Sequence, residues 1–415
     1  MSRRGRLALL AAAVGPAVGC WQTARPHAAP TPPSPALTAA ARQVTPPDVA
    51  AVPDKLTPVT PPAATDPYLQ LAADQCRELA CTHAATARAI LAAADGDDPD
   101  RWCDWGHKAE VAQVRRTAAG HLAAEARNRT AGAALELYYK LLEVELLTDL
   151  LVTTAAEVDD LVRTGETLQG RGFQESPEFF TLRRQQVETR AEAARLRQGG
   201  RRLNAELKAL IGTGGEPASL LPTDHIRVPS DSFDVEKAVQ LGLASRPDLR
   251  LLRDLDAGLN ARTVDAVRQA VIGLVPALKA VTTAARVLAP GLLPHLAEPK
   301  VESTHRMLRE LLAERTAEAE KDIRTAADEW ASQQELVGVA RRRQAVEAAR
   351  VHELAARRKS GAAVEAEYRR AKLDALKADA EVIREAVKWK LADVKVRQAM
   401  GILCGDGTAD SCRVR

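Results

Sequence analysis

The sequence predicts an all-α protein: long antiparallel, coiled-coil-like helical hairpins in two tandem repeats, with little or no β-strand. Three observations predict it. Aromatic residues make up only 3% of the chain, while Ala, Leu, Arg and Glu fill it, the signature of extended helical packing and not of a β-barrel. Apolar residues recur at alternating three- and four-residue steps over long runs. Finally, the segments bounded by Gly172 and Gly212 and by Gly361 and Gly401 keep their apolar positions in phase when superposed with a shift of 189 residues.

Taken in chain order, residues 1–19 read as a signal peptide. Arg3, Arg4 and Arg6 precede an apolar run from Leu7 to Val18, which is too short to span a bilayer. Ala17-Val18-Gly19-Cys20 is similar to a bacterial lipobox, which makes Cys20 the expected lipidation site; the alternative is an ordinary secretory signal that ends near a cysteine. Trp21, not Asp, follows Cys20, and the lipoprotein resemblance then favours the outer membrane. Residues 20–65 hold about half of the 23 prolines. Such a segment buries no core and acts as a semi-rigid tether.

From residue 66 the pattern turns helical. The first repeat is expected over 66–213, a connector over 214–237, the second repeat over 238–403 and a tail over 404–415. Pro67-Tyr68-Leu69 and Pro247-Asp248-Leu249 are read as two equivalent helix starts. In the second, Ser245 is the expected N-cap with Asp248 three residues on, and Pro247 sits in the first turn, where its missing N–H costs nothing. Asp66-Pro67 is expected to do the same job in the first.

Within the repeats, Leu135, Tyr139, Leu142 and Leu146 form one seam. Leu312, Ala319, Ile323, Ala326, Trp330 and Val337 form another, and Leu373, Leu376, Ala380, Ile383 and Val387 a third. Near-heptad seams pack helices side by side at shallow angles. The 189-residue shift lays Val187 on Leu376, Ala191 on Ala380, Leu207 on Val396, Ile211 on Met400, Leu147 on Leu336 and Leu150 on Val339. This points to a duplicated domain. A thin hairpin cannot bury two seams alone, so the pattern itself calls for oligomerisation.

An export signal implies a compartment that permits disulfides. Cys404 and Cys412 flank a turn-rich loop and are expected to pair, leaving Cys76, Cys81 and Cys103, of which two are expected to pair. With His83 and His107 these thiols are also of zinc-ligand type, but their spacing matches no standard site. Asp95–Asp100 lacks the spacing of a calcium loop and reads as a solvated turn. Charges nearly cancel, at +3 overall, which argues against a dedicated nucleic-acid binder. No Ser-His-Asp pattern, phosphate-cradling glycine loop or His-Glu-x-x-His occurs, so neither an enzyme nor a cofactor site is expected.

At these residues the chain resembles the TolC family of outer-membrane efflux proteins. "SRPDL" after "AVQLGL" is similar to the start of that family's second half. "RKSGAAVEAEYRRAKLDALKADAEV" running to "VRQAMG" resembles its closing helix, and "LQGRGFQESPEFFTLRRQQVETRAEA" to "LKALIG" the first-half counterpart. The resemblance covers 66 to about 403. It implies a homotrimer whose long helices enclose a periplasmic conduit, partnered by the periplasmic adaptor protein of an efflux pump. It further implies that the hairpin turns around Gly172, Phe173, Ser176, Phe179 and Phe180, and around Gly361, are adaptor-docking tips. For the three phenylalanines the other reading is a staple within the hairpin's own core. The Arg runs at 341–343 and 357–359 read as solvated faces, the second near enough to the tip to meet an acidic partner.

The sequence departs from the family where each half should carry two membrane-spanning strands. Residues 92–109 form an acidic loop and 276–299 an Ala/Leu/Pro-rich stretch. Neither has the alternation, length or aromatic girdle of a spanning strand. The expected protein is therefore a lipid-anchored component on the periplasmic side of the outer membrane. The alternative is a strandless envelope scaffold or spacer without a conduit.

Overall fold

A computed structural model describes residues 68–95, 107–171, 177–229, 232–274, 301–360, 365–405 and 413–414, all within the unit 51–415. Cys20, Cys103, Cys412, Gly172, Phe173, Ser176 and Gly361 lie outside the described residues. So do the tether and most of both stretches where spanning strands would be inserted.

In chain order the elements are β1 (Tyr68–Leu71), α1 (Ala73–His83), α2 (Ala85–Asp95), α3 (His107–Gly170), α4 (Pro177–Ile211), β2 (Ser219–Pro222), β3 (Ser232–Phe233), α5 (Val235–Ser245), α6 (Pro247–Ala257), α7 (Val264–Leu274), α8 (Val301–Lys359), α9 (Glu365–Ala399) and β4 (Arg413–Val414). Helices dominate because nothing interrupts them: α3, α8 and α9 contain no proline, and the one in α4, Pro177, is its first residue, where no N–H is needed. At 1.5 Å per residue, α3 spans about 96 Å and α4 and α9 about 52 Å each.

The strands are few and short. β1 pairs in parallel with β2, and β3 antiparallel with β4. β1 corrects the reading of Pro67-Tyr68-Leu69 as a helix start: Tyr68–Leu71 is extended, held by register with Ser219–Pro222, and the first helix opens at Ala73. Gln75 Oε1 accepts the Ala72 N–H at 3.1 Å, and Asp224 Oδ2 accepts that of Ala73 at 3.0 Å. Ser245 is also corrected. It ends α5 and donates to the Leu241 and Met400 carbonyls, while Arg246 occupies the cap position of α6 with no side-chain cap bond. Pro247 does open α6, as its fixed φ favours.

The duplication is visible in the elements. α1 and α2 are matched by α5 and α6, all four 11 residues long, and α4 and α9 are both 35 residues long. Each 35-residue helix ends on a glycine with positive φ, Gly212 at 78° and Gly401 at 75°. The same closing bond follows each: Thr213 N–H to Lys208 O at 3.0 Å and Ile402 N–H to Arg397 O at 3.2 Å. This is a helix stop that only glycine adopts without strain.

The long helices lie in the order α4–α3–α9–α8, since α3 packs on both α4 and α9, and α9 on both α3 and α8. The three expected seams are inside: Tyr139 is 5% exposed, Ile323 and Val387 0%. Trp330 of α8 and Trp389 of α9 meet at 5.8 Å between ring centroids, with Phe233 against Trp330 at 5.3 Å. A second core joins α6 and α7 to the first turns of α3 and α8 through Leu251, Leu255, Val267 and Leu308. Ion pairs lie along the seams, among them Glu157–Lys372 at 2.8 Å and Arg343–Glu381 at 2.7 Å. No described helix is long and apolar enough to cross a membrane.

Candidate functional site

Three features of this architecture bear on function: the hairpin end, the two outer helices of the four-helix layer, and the clasp that closes its other end.

At the hairpin end the aromatic residues divide. Phe179 is 7% exposed and packs with Val158, Val162 and Leu373. A Cβ on Gly165 would come within 2.4 Å of its ring, so Gly165 supplies its seat. The Arg183 guanidinium lies over the same ring, 4.8 Å from its centroid. Phe179 therefore belongs to the core, as a staple. Phe180, one residue on, is 58% exposed.

The outer helices are asymmetric with respect to the inner ones. α3 and α9 have long helices on both sides, whereas among the described residues α4 and α8 each pack on one long helix only. Phe180 and Val187 are exposed on α4, and Leu336, Val339 and Val346 on α8, the last by 66%. These five are most of the exposed large hydrophobic side chains among the described residues. The internal repeat says what their equivalents do. Leu147 and Leu150 of α3 and Leu376 and Ala380 of α9 line one crevice inside the chain. Shifted by 189 positions, the α3 pair becomes Leu336 and Val339, and the α9 pair is the counterpart of Val187 and Ala191. Likewise Asp160–Arg369, an α3–α9 pair at 3.5 Å, corresponds to Ala349 of α8 and Phe180 of α4. The exposed apolar residues thus occupy the positions that are covered in the one α3–α9 contact the chain makes. Sequence reasoning named Val187, Leu336 and Val339 as phase matches but did not distinguish a covered copy from an uncovered one. The signal is a second heptad run on α8, one residue off the buried Val337–Ala340 seam.

The clasp gathers both repeats. Cys404 bonds Cys81 of α1, with Cα atoms 5.9 Å apart and 323 residues between them. This replaces the expected Cys404–Cys412 pairing: α1 packs where α9 ends, so Cys81 is the thiol within reach. It also removes Cys81 from any metal set; among the described residues no group of three or more His, Cys, Asp or Glu side chains is gathered for a metal. Cys76 is a free thiol, fully buried, and burial with the nearby Asp224 charge pushes its pKa up to about 12, so it is inert as a nucleophile. Asn128, 3% exposed, donates to Gln398 O at 2.9 Å and accepts the Leu403 N–H at 3.1 Å. Arg77 donates to Leu403 O at 3.2 Å and Arg246 to Ala399 O at 3.3 Å. The open carbonyls at the end of α9 are thereby satisfied by donors from α1, α3 and the α5–α6 junction.

No family model and no curated protein matches the chain, but solved structures do. A membrane protein from Pseudomonas aeruginosa superposes with a TM-score of 0.57 at 12% identity, over 81% of this chain and 91% of that one. The open state of the Neisseria gonorrhoeae MtrE outer-membrane channel superposes at 0.55 and 10% identity, over 79% and 88%. The Campylobacter jejuni CmeC outer-membrane channel does so at 0.53 and 11% identity, over 82% and 88%. At such identities the likeness speaks for the fold, and it agrees with the helical hairpin repeats: this chain has a divergent TolC-like fold.

Proposed function

We propose that the protein is a component of an outer-membrane efflux or secretion conduit, anchored through a lipid on Cys20 and acting by enclosing a path with its helices. Three copies form the ring, and a periplasmic adaptor protein meets the hairpin turns. The protein does no covalent chemistry; what passes is set by the pore it helps to build. The solved structures that share its fold are outer-membrane channels, which supports the outer membrane as its location.

The observation that carries this reading is the uncovered second seam on each outer helix. A copy that presents α8 on one flank and α4 on the other makes a head-to-tail contact, and head-to-tail contacts close into rings when the rotation allows. The repeat supplies the register: Leu336 and Val339 of one copy face Val187 and Ala191 of the next, and Val346 and Ala349 lie by Phe180. Phe180 thereby serves the ring, and adaptor docking falls to the turns on either side of Gly172 and Gly361.

The test is cysteine cross-linking. A chain carrying both Val339→Cys and Val187→Cys should yield covalent dimers and a closed trimer under mild oxidation, with neither single variant doing so. Sedimentation in mild detergent should give three copies. A stable monomer with no cross-links would favour the scaffold instead, a strandless spacer lipoprotein.

A further inference from the structure

The flank that α8 turns away from α9 is not apolar throughout. Asp328, Ser332, Glu335, Val339, Arg342 and Val346 recur on it at alternating four- and three-residue steps, and all of them are exposed. The stripe is acidic at its upper end and apolar towards the hairpin turn. On α4 the stripe Val187, Arg190, Ala194, Arg197 and Arg201 is exposed in the same way. Its apolar end also lies towards the hairpin turn, and its upper end is basic.

The charges at the two upper ends are spare. Among the described residues the side chains of Asp328 and Glu335 make no ion pair or hydrogen bond, and neither do those of Arg197, Arg201 and the neighbouring Arg195. The other charged groups nearby are satisfied within the chain: Glu192 by Arg384, Arg202 by Glu206, Glu329 by Lys395 and Arg190 by Asp159.

The α3–α9 contact inside the chain supplies a register for these stripes. Lys390 Nζ lies 5.8 Å from the centroid of the Tyr139 ring, Glu157 meets Lys372 at 2.8 Å and Asp160 meets Arg369 at 3.5 Å. Each step forward along α3 is an equal step back along α9. Moved by the 189 residues of the repeat, Tyr139 becomes Asp328 and Lys390 becomes Arg201. The same steps set Ser332 level with Arg197 and Glu335 level with Ala194, so Arg197 falls between the two carboxylates. Arg342 comes level with Val187 and Glu188.

We infer that copies of this chain select one another by charge, with Asp328 and Glu335 on α8 of one copy set against Arg201 and Arg197 on α4 of the next. This rests on the conduit reading and assigns the residues that give its ring a partner and a direction. Two α8 flanks meeting about a two-fold axis oppose carboxylates, and two α4 flanks oppose guanidinium groups. Only α8 against α4 brings opposite charges together, and that is the head-to-tail contact from which rings close. Such pairs fix partner choice and register more than affinity; Val187, Val339 and Val346 supply the apolar burial.

Charge-swapped full-length chains in mild detergent test this. D328R/E335R and R197E/R201E each place like charges at every α8–α4 contact, and each should lose about tenfold or more of the wild-type trimer with an unchanged circular-dichroism spectrum. The chain with all four changes restores opposite charges and should recover the trimer. Co-expressed with differently tagged wild type, it should sort into rings of its own, with mixed trimers at about a tenth or less of their random share. Trimers at the wild-type level from both two-site variants overturn the inference while leaving the ring in place, as does free mixing of the four-site chain with wild type. A four-site chain that folds but stays monomeric overturns it too. The register is read separately: Asp328→Cys and Arg201→Cys in one chain should cross-link between copies, whereas cross-linking of Asp328→Cys alone marks a two-fold contact and overturns the inference. A wild-type monomer without the Val187–Val339 cross-link overturns the ring itself, and the inference with it.

Discussion

Single residues fix the two helix stops. Gly401 has φ 75°, and a Cβ there would sit 2.9 Å from Arg246 Cα and 3.0 Å from Pro247 Cδ, atoms that cannot swing away. At Gly212 the obstacle is the His83 ring, a side chain that can. Gly212→Ala should cost about 1–2 kcal/mol, the left-handed penalty alone, and Gly401→Ala measurably more, as read from thermal melts of the two variants. Asp248 gives a pH-dependent test. Burial alone would raise its pKa, but hydrogen bonds from Arg246 at 2.7 and 3.0 Å and the charge of that guanidinium outweigh burial and hold the carboxyl below its usual value. A lowered folded pKa contributes stability above the unfolded value, and that stability is lost as pH falls through the folded one. Asp248→Asn should therefore cost about 1–3 kcal/mol near neutrality and converge with wild type in acid, followed by denaturant melts across pH. The glycine pair was legible in the sequence because positive φ leaves one residue type to choose. The Cys81–Cys404 pairing was not. It depends on α1 meeting the end of α9 across 323 residues, a tertiary fact that local spacing does not contain.

At the scale of elements, the seams were readable wherever apolar spacing alone decides burial, and Tyr139, Ile323 and Val387 are inside as the spacing requires. Tyr68–Leu71 was misread because a Pro-x-Leu start looks alike before a helix and before a strand; what makes it extended is register with Ser219–Pro222, far along the chain. Burial of the two copies of a repeat was also not readable from phase. Leu147 is 7% exposed and Leu336 44%, because among the described residues only the first has a second long helix over its face. α3 carries one local conflict. Burial, with the charge of Asp149 one turn on, raises the pKa of Glu145, and among the described residues no cation pairs with it. A carboxyl raised on folding loses stability when ionised, so the penalty is full above the folded pKa and absent below the unfolded one, about 4.3. Glu145→Gln should thus stabilise the subunit by about 0.2–0.5 kcal/mol at pH 7, with no gain at pH 3, measured by paired urea titrations.

At the scale of the whole molecule, folding and assembly separate along adjacent residues of one helix. Val337 of α8 is 1% exposed, and Val339, two positions on, is 52% exposed. Val337→Asp places a carboxylate in the buried α8–α9 seam and should cost about 3 kcal/mol or more. Val339→Asp points into solvent in the single subunit and should change its stability by no more than about 0.5 kcal/mol. In the proposed ring it meets Val187 and Ala191 of the next copy and sets a carboxylate into an apolar contact at every interface, three times in a trimer. The expected result is a subunit that melts like wild type by circular dichroism but sediments as a monomer, whereas Val337→Asp lowers the melting temperature itself. If Val339→Asp assembled as the wild type does, the flank would not be an interface, and the uncovered seam would have to be explained by something other than a second copy.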